Sequence, residues 1–280
     1  MDVVARVKDL KKVYRYGVRG LGVLALDGIS FEIREGEVFG LIGPNGAGKS
    51  TAIKILLGLL KPSGGECEIF GEPPNARMRA KIGYLPEAPY FYKFLTGLEL
   101  VEFYAQLCGM DRASARDAAR KALDIVGLSD AAGRRVGAYS KGMMQRAGIA
   151  QAIVHNPKFV ILDEPASGLD PIGAENMAEI VRRLRETGKT VLLCSHMLSE
   201  VEKLCSRVAL LSGGKIAAMG EIDALLTREG RTRVEFSSLS PDALSAVERA
   251  AEAGGARVES VSAAKISLGE FFRKTLEEKK

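Results

Sequence analysis

A nine-residue run, GPNGAGKST at residues 43–51, restricts the fold of this chain more than any other feature. It matches the pattern G-x-x-x-x-G-K-[ST], whose glycines let the backbone wrap a polyphosphate with several N–H groups pointing inward. The apolar residues 38–42 precede it and are typical of a buried strand, and residues 52–60 follow it with a helical pattern. This context favours a phosphate-binding loop over a chance glycine-rich turn, because the helix N-terminus adds a positive dipole end. We predict that the chain binds a nucleoside triphosphate.

Two side chains of this loop have predicted chemical roles. Lys49 would place a positive charge on the β- and γ-phosphates, and the Ser50 hydroxyl would ligate Mg²⁺. The loop residues predicted to bind ATP are Gly43, Pro44, Asn45, Gly46, Ala47, Gly48, Lys49, Ser50 and Thr51.

Composition excludes several classes of protein. The 280 residues contain no apolar run approaching the length of a membrane-spanning helix, and the N-terminal residues MDVVARVKDLKK do not form a signal peptide. We therefore expect a cytoplasmic protein with reduced cysteines. Cys194, His196 and Cys205 do not have the spacing of a common zinc site. The net charge of +5 would suit an anionic surface, but a solvated basic surface explains it better, and no nucleic-acid partner is expected.

The order of elements predicts an α/β fold. Short apolar strands, with predicted strands at 3–9 and 66–70 among them, alternate with helical segments. This order favours a P-loop NTPase core with a mostly parallel sheet, an antiparallel β subdomain and a helical insertion at about residues 88–152. Residues 1–220 form the predicted ATP-binding domain, and residues 221–280 a small α+β extension. In the extension we predict strands at 233–236 and 256–261 and helices at 242–253 and 268–277, without a catalytic cluster; packing or support of a dimer is its expected role.

An acidic pair completes the predicted site. Residues 160–164, VILDE, are typical of a buried strand that ends in two carboxylates. Ligands collect at the carboxyl ends of strands in such sheets, so Asp163 is expected to hold Mg²⁺ and Glu164 to act on the attacking water. Solvated turn residues are the alternative interpretation, and the nearby phosphate loop argues against it.

Residues 139–143, YSKGM, and the residues around Asp170 and His196 make the pattern more specific. Together with the phosphate loop and ILDEP, the set resembles the ATP-binding subunit of an ABC transporter over about residues 3–220. The resemblance makes the loop a Walker A motif, ILDEP a Walker B motif, Ser167-Gly168-Leu169-Asp170 a D-loop and His196 the switch histidine. It makes Ser140, Lys141, Gly142 and Met143 the signature, which is commonly LSGGQ.

The resemblance implies ATP hydrolysis in a head-to-tail homodimer. The signature of one subunit, through Ser140 and Gly142, would cap the γ-phosphate bound by the other subunit, and His196 would help to orient Glu164 and water. Tyr14 resembles the aromatic residue that stacks on adenine, and Tyr16 is a competing candidate. The other histidine, His155, is expected to be structural.

The resemblance also implies a separate integral-membrane permease, with this chain peripheral on the inner face of the cell membrane. Aromatic residues crowd the stretch 90–104, YFYKFLTGLELVEFY, which predicts either a permease-docking surface or core packing. Glu87 stands where the family usually has a glutamine, which leaves its role as a third Mg²⁺ ligand open. The substitutions at Lys141 and Met143 are similar to those of ATPases that serve ABC-2-type permeases.

The alternative to transport is a soluble ABC ATPase of DNA repair or translation. Repair members carry a long coiled-coil insertion, and translation members carry two nucleotide-binding domains. The chain has one Walker A motif, one signature and no heptad run, so transport is favoured.

Overall fold

The computed structural model describes residues 2–16, 21–227, 234, 236, 238, 240–258 and 260–261. The chain divides into two units, Met1–Leu226 and Thr227–Lys280. The strands, in chain order, are β1 (Val3–Tyr16), β2 (Leu21–Arg34), β3 (Val38–Ile42), β4 (Gly64–Ile69), β5 (Ile82–Leu85), β6 (Phe159–Asp163), β7 (Thr190–Ser195), β8 (Arg207–Ser212) and β9 (Lys215–Glu221). The α-helices are α1 (Lys49–Leu56), α2 (Ala76–Arg79), α3 (Gly97–Leu107), α4 (Arg112–Ile125), α5 (Lys141–Ile153), α6 (Pro171–Glu186), α7 (Leu198–Leu204), α8 (Ile222–Leu226) and α9 (Pro241–Ala253), and 3₁₀ turns occur at Ser129–Ala131 and Val136–Ala138.

A six-stranded sheet in the order β5-β6-β7-β3-β8-β9 forms the centre of the first unit. All neighbouring pairs are parallel except β8 and β9, which form a hairpin. The strands β3, β6 and β7 are buried along their whole length, as expected for parallel strands covered on both faces. Because these three strands are neighbours and parallel, the residues that follow their carboxyl ends meet at one edge of the sheet.

Alternate residues of the central strands belong to two different cores. On β6, Val160 and Leu162 face a core built with α3 to α7, whereas Phe159 and Ile161 face a core built with α1 and the antiparallel strands. The sheet is therefore the middle layer between two cores. Packing on both faces fixes the edge of the sheet from which the loops extend.

A second, antiparallel sheet has the order β2-β1-β4. Its strand β1 runs past the predicted end at Asp9 and continues to Tyr16. Asp9 has φ +46° and coincides with a break in the pairing register with both neighbours, so it forms a bulge after which pairing with β2 resumes. The predicted antiparallel β subdomain and the mostly parallel sheet are both confirmed.

Several predicted boundaries were wrong. The helix after the phosphate loop begins at Lys49 rather than residue 52, and it ends at Leu56 rather than residue 60. Gly58 has φ +64°, and the N–H groups of Leu59 and Leu60 both donate to the Lys54 carbonyl, which closes the helix early. Strand β4 spans Gly64–Ile69 instead of 66–70, since Phe70 has φ +51°.

The second unit is described only in part. Ser240 caps α9 by accepting from the Ala243 N–H, and Pro241 occupies the first turn. The described residues of 256–261 form no strand, contrary to the sequence-based expectation, and they are mostly exposed after the turn at Gly254 and Gly255. The predicted strand at 233–236 and helix at 268–277 lie partly or wholly outside the described residues. Nowhere in the described chain is a helix both long enough and apolar enough to cross a membrane.

Candidate nucleotide-hydrolysis site

The phosphate loop connects β3 to α1 at the edge where the strands end. Gly48 has φ +110°, and a Cβ there would lie 2.6 Å from the Ala25 carbonyl oxygen, so the loop requires glycine at this position. A Cβ on Gly43 would similarly collide with the carbonyl of Leu211 on β8. Helix α1 begins at Lys49, so its free N–H groups and positive dipole end belong to the loop. Such a loop end is suited to an anion.

Lys49 is buried, with 6% of its surface exposed. Its Nζ donates to the Gly43 carbonyl at 2.6 Å and lies 3.5 Å from Oε1 of Glu164. A buried ammonium group is stable only when charged or polar partners surround it. The loop therefore holds its lysine between a backbone carbonyl and a carboxylate.

The two acidic residues sit where β6 ends. Asp163, the last residue of β6, is buried, and burial followed by the charges of Glu164 and Glu87 raises its pKa to about 6. Glu164 has a left-handed backbone with φ +51°, and its N–H donates to the Cys194 carbonyl of β7 at 2.8 Å. The turn of the chain at Glu164 thus directs the second carboxylate along the sheet edge rather than into the core.

His196 directly follows β7, which lies between β3 and β6. Its Nδ1 lies 2.7 Å from Oε2 of Glu164, and its backbone N–H donates to the same oxygen at 3.3 Å. Glu164 is therefore held between Lys49 on one oxygen and His196 on the other. A carboxylate oriented in this way can accept a proton from a water molecule that lies beside the loop.

The residues present fit a magnesium ion bound together with a nucleotide. No group of three or more histidine, cysteine or acidic residues capable of holding a metal occurs in the described residues. Mg²⁺ characteristically uses one or two protein oxygens, phosphates and water, so a carboxylate and a hydroxyl suffice. Asp163 provides a buried carboxylate near the loop, and Ser50 provides an exposed hydroxyl next to Lys49. Glu87 is exposed, and its charge contributes to the raised pKa of Asp163.

The signature residues lie at the start of α5. Ser140 is the N-cap of that helix and accepts from the Met143 N–H at 3.3 Å. Ser140 and Lys141 are exposed, and Gly142 and Met143 are half-buried. Within the described residues, no hydrogen bond or ion pair joins these four residues to the phosphate loop of the same chain. Their exposed N-terminal helix end is available to an anion supplied from outside the subunit.

The D-loop lies against the signature. The side chain of Lys141 packs over Gly168, where a Cβ would meet its Nζ. Asp170 is the N-cap of α6 and accepts from the Gly173 N–H at 2.7 Å. The Asp170 carboxylate is therefore engaged in capping within its own chain.

Tyr14 lies beside the helix that begins in the loop. Its hydroxyl is 3.4 Å from Oγ1 of Thr51, and the Nζ of Lys12 is 5.5 Å from the centre of its ring. Tyr16 is the last residue of β1, and its side chain is outside the described set. The hydrogen bond to Thr51 favours Tyr14 as the aromatic residue near the loop.

Two further side chains near the acids were missed from the sequence. Tyr84 of β5 is half-buried, and burial followed by the charge of Asp163 raises its pKa to about 12. Glu200 of α7 has its pKa raised by burial and then by Glu164. Glu200 follows His196 by four residues, and this short separation from a predicted site residue could have indicated it. Nothing local indicates Tyr84, because its neighbourhood depends on the pairing of β5 with β6.

The loop at a strand-to-helix turn and the acids at the end of a neighbouring parallel strand define a P-loop nucleoside triphosphatase. The model of the protein family described as "ABC transporter" matches residues 26–167 of this chain. An uncharacterized ABC transporter ATP-binding protein of Nostoc sp. is 45% identical, over 83% of this chain and 70% of the relative. The bacitracin transport ATP-binding protein BcrA of Bacillus licheniformis is 38% identical, over 84% of this chain and 75% of the relative.

The fold agrees with solved structures of such cassettes. A dimeric ATP-binding cassette in a post-hydrolysis state bound to ADP and Pi superposes with a TM-score of 0.71 at 28% identity, covering 78% of this chain and 98% of the other. The chain belongs to the ABC transporter family, as an ATP-binding subunit that hydrolyses ATP to power transport.

Proposed function

We propose that this chain hydrolyses ATP with Glu164 as the base that activates water. The observation that carries the proposal is the double restraint on the Glu164 carboxylate, with His196 Nδ1 at 2.7 Å and Lys49 Nζ at 3.5 Å. Lys49 shifts to the β- and γ-phosphates when ATP occupies the loop, which leaves one oxygen of Glu164 directed at the attacking water. His196 retains the orientation of the carboxylate and donates to the γ-phosphate.

Ser50 and Asp163 are the proposed protein ligands of Mg²⁺, with Glu87 as a third candidate. When bound, the ion would neutralise charge on the β- and γ-phosphates. The raised pKa of Asp163 supports this assignment, because a buried carboxylate surrounded by Glu164 and Glu87 is stabilised when a cation is added.

We further propose that two copies form the complete site. The exposed N-terminal end of α5, capped by Ser140, makes no hydrogen bond to the phosphate loop of its own chain within the described residues, and a head-to-tail partner would supply an anion to it. The similar cassette bound to ADP and Pi is dimeric, which supports the arrangement. ATP would then join the subunits, and hydrolysis would release them.

The partner in the membrane would be a separate permease of the ABC-2 type, docked on an aromatic patch of the helical insertion at about 88–152. Tyr90, Tyr92 and Phe94 are exposed by 92%, 56% and 68%. Tyr92 packs edge-on against Phe103, and Phe103 packs edge-on against the half-buried Tyr104, so the patch rests on the start of the helical core. Exposed aromatic residues supported in this way are typical of a binding surface.

We propose that residues 1–220 form the ATP-binding domain and residues 221–280 an extension. With a membrane permease as its partner, the chain would be peripheral on the inner face of the cell membrane. The relative BcrA is named for bacitracin transport, which supports a transport role over DNA repair or translation.

A fractionation experiment in the native cells tests the membrane partnership. The full chain should sediment with membranes, and Phe94→Ser should release most of it, whereas Leu59→Ser should not. Leu59 is a matched control because it is 60% exposed and lies outside the helical insertion. Purified ATPase activity should be the same for all three proteins. Equal release of both variants, or of neither, would contradict the docking surface.

A further inference from the structure

A buried glutamine joins the signature helix to the segment that carries Glu87. Gln145 lies one turn into α5, only 3% exposed, and its Nε2 donates to the backbone carbonyl of Glu87 at 3.2 Å. Its Oε1 is also buried and has no hydrogen-bond partner among the residues that the structure describes. An apolar side chain of equal size would avoid this unsatisfied acceptor, so the amide is present for its bond to Glu87 rather than for packing.

The rest of the contact between the helix and this segment is close-packed. Gly148 lies three residues after Gln145, and a Cβ there would collide with Leu85 and lie 3.6 Å and 3.7 Å from Phe91 and Pro89. Gly83 on β5 likewise allows the Ala152 carbonyl of α5 to approach. An interface this tight transmits a displacement instead of absorbing it.

The hydrogen bond between Gln145 and Glu87 connects two different parts of the proposed site. Glu87 follows the end of β5 by two residues, and β5 pairs in parallel with β6 up to Leu85 and Leu162, so Glu87 lies at the sheet edge beside Asp163. The other end is the start of α5, where Ser140 caps the helix and also accepts from the Met144 N–H at 2.9 Å. The first turn is thereby joined rigidly to the turn that holds Gln145.

We propose that Gln145 is a positioning residue that makes the Glu87 segment and the first turns of α5 move as one body. ATP bound at a chain's own phosphate loop then sets the position of the signature that this chain presents to its partner. The inference rests on the proposed function, because it assumes that the loop binds ATP and that the signature acts on the other subunit. It adds Gln145 as the residue that carries this coupling within one chain.

Hydrogen–deuterium exchange of the full chain tests this coupling without a dimer. The protein is diluted until light scattering shows a monomer, and Mg²⁺ is added with an ATP analogue that has nitrogen in place of the β–γ bridging oxygen. We expect exchange to slow at residues 43–51, 82–91 and 139–148 together. If exchange in the unmodified chain slows at 43–51 and 82–91 but not at 139–148, the inference is wrong.

Two matched substitutions on α5 separate coupling from packing. Gln145→Met keeps the length of the side chain but removes the donor, and Gln151→Met makes the same change elsewhere on the helix. Gln145→Met should reduce the response at 139–148 at least five-fold and leave those at 43–51 and 82–91 intact, whereas Gln151→Met should behave like the unmodified chain. A full response at 139–148 in Gln145→Met would overturn the inference.

Failure of the proposed function would give a different pattern of exchange. If the analogue changes exchange nowhere, including residues 43–51, the chain does not bind nucleotide at the loop, and the proposed function falls together with the inference. If Gln145→Met does not fold, the responses of the unmodified chain decide alone.

Discussion

His196 Nδ1 lies 2.7 Å from Oε2 of Glu164, and the His196 backbone N–H donates to the same oxygen. The two residues follow adjacent parallel strands, β7 and β6, so the order of strands in the sheet creates this contact. Because Lys49 lies against the other oxygen of Glu164, the carboxylate is restrained from both sides. This arrangement leads to separate expectations for each of the three residues and for Asp163.

Replacement of His196 should affect turnover rather than folding. The His196 side chain is half-exposed, so His196→Ala should leave the melting temperature unchanged, while loss of the group that orients Glu164 should lower kcat by about 100-fold. Steady-state phosphate release measures this effect. His155→Ala is the control: the His155 ring is half-buried with both nitrogens covered, so its removal leaves a cavity that should cost about 2 kcal/mol of stability and leave kcat within two-fold. A loss of stability in His196→Ala together with a loss of kcat in His155→Ala would contradict both roles.

Replacement of Lys49 should affect nucleotide affinity. Its Nζ lies at the Gly43 carbonyl, inside the loop, so Lys49→Ala removes the charge that the phosphates would meet. We expect MgATP to bind at least about ten-fold more weakly, equivalent to about 1.4 kcal/mol. Fluorescent-nucleotide titration measures the affinity, with Lys54→Ala on the exposed side of the same helix as the control. Equal affinities for the two variants would show that the loop is not the binding site.

The raised pKa of Asp163 predicts a pH dependence of stability. In the folded chain this pKa is about 6, above its ordinary value of 3.8, so the folded state binds more protons than the unfolded state between those values. The free energy of unfolding contributed by Asp163 should therefore fall as pH rises from about 4 to 6 and remain low above pH 6. The size of the effect is of order 1–3 kcal/mol.

Asp163→Asn removes the free-energy cost of burying an ionised carboxylate and therefore tests this expectation. Without nucleotide and Mg²⁺, the variant should be more stable than the original chain at pH 7.5 and should lose most of the advantage near pH 4, as followed by urea denaturation at both pH values. It should also lose Mg²⁺-dependent turnover. A variant that is less stable at pH 7.5 would contradict the burial argument.

How much could be predicted from the sequence depended on how local each feature is. The phosphate loop and the strand that ends in Asp163 are contiguous patterns, and the structure has a strand-to-helix turn and a strand end at those positions. The alternation of strands and helices was sufficient for the fold class. The contact of Glu164 with His196 could be expected only through a family resemblance, because it requires the strand order.

Features that depend on tertiary pairing were missed. The bulge at Asp9 lets β1 continue for seven more residues only because β2 pairs with it, and residue-by-residue propensity does not reveal such a partner. The bond from Gln145 to the Glu87 carbonyl joins residues 58 positions apart, and an isolated glutamine within a helix gives no sign of it. Helix α1 was placed three residues late because its first turn belongs to the glycine-rich loop.

The central claim, that Glu164 activates water in a site shared by two copies, is tested most directly by Glu164→Gln. The amide still accepts from the His196 N–H but cannot take a proton from water, so turnover should fall by about 100-fold or more while MgATP still binds. With hydrolysis blocked, light scattering after size-exclusion chromatography should show a dimer in ATP and a monomer in ADP. The control Glu179→Gln, which weakens a surface ion pair to Arg182, should hydrolyse normally. A Glu164→Gln chain that still hydrolyses ATP, or that stays monomeric in ATP, would contradict the claim.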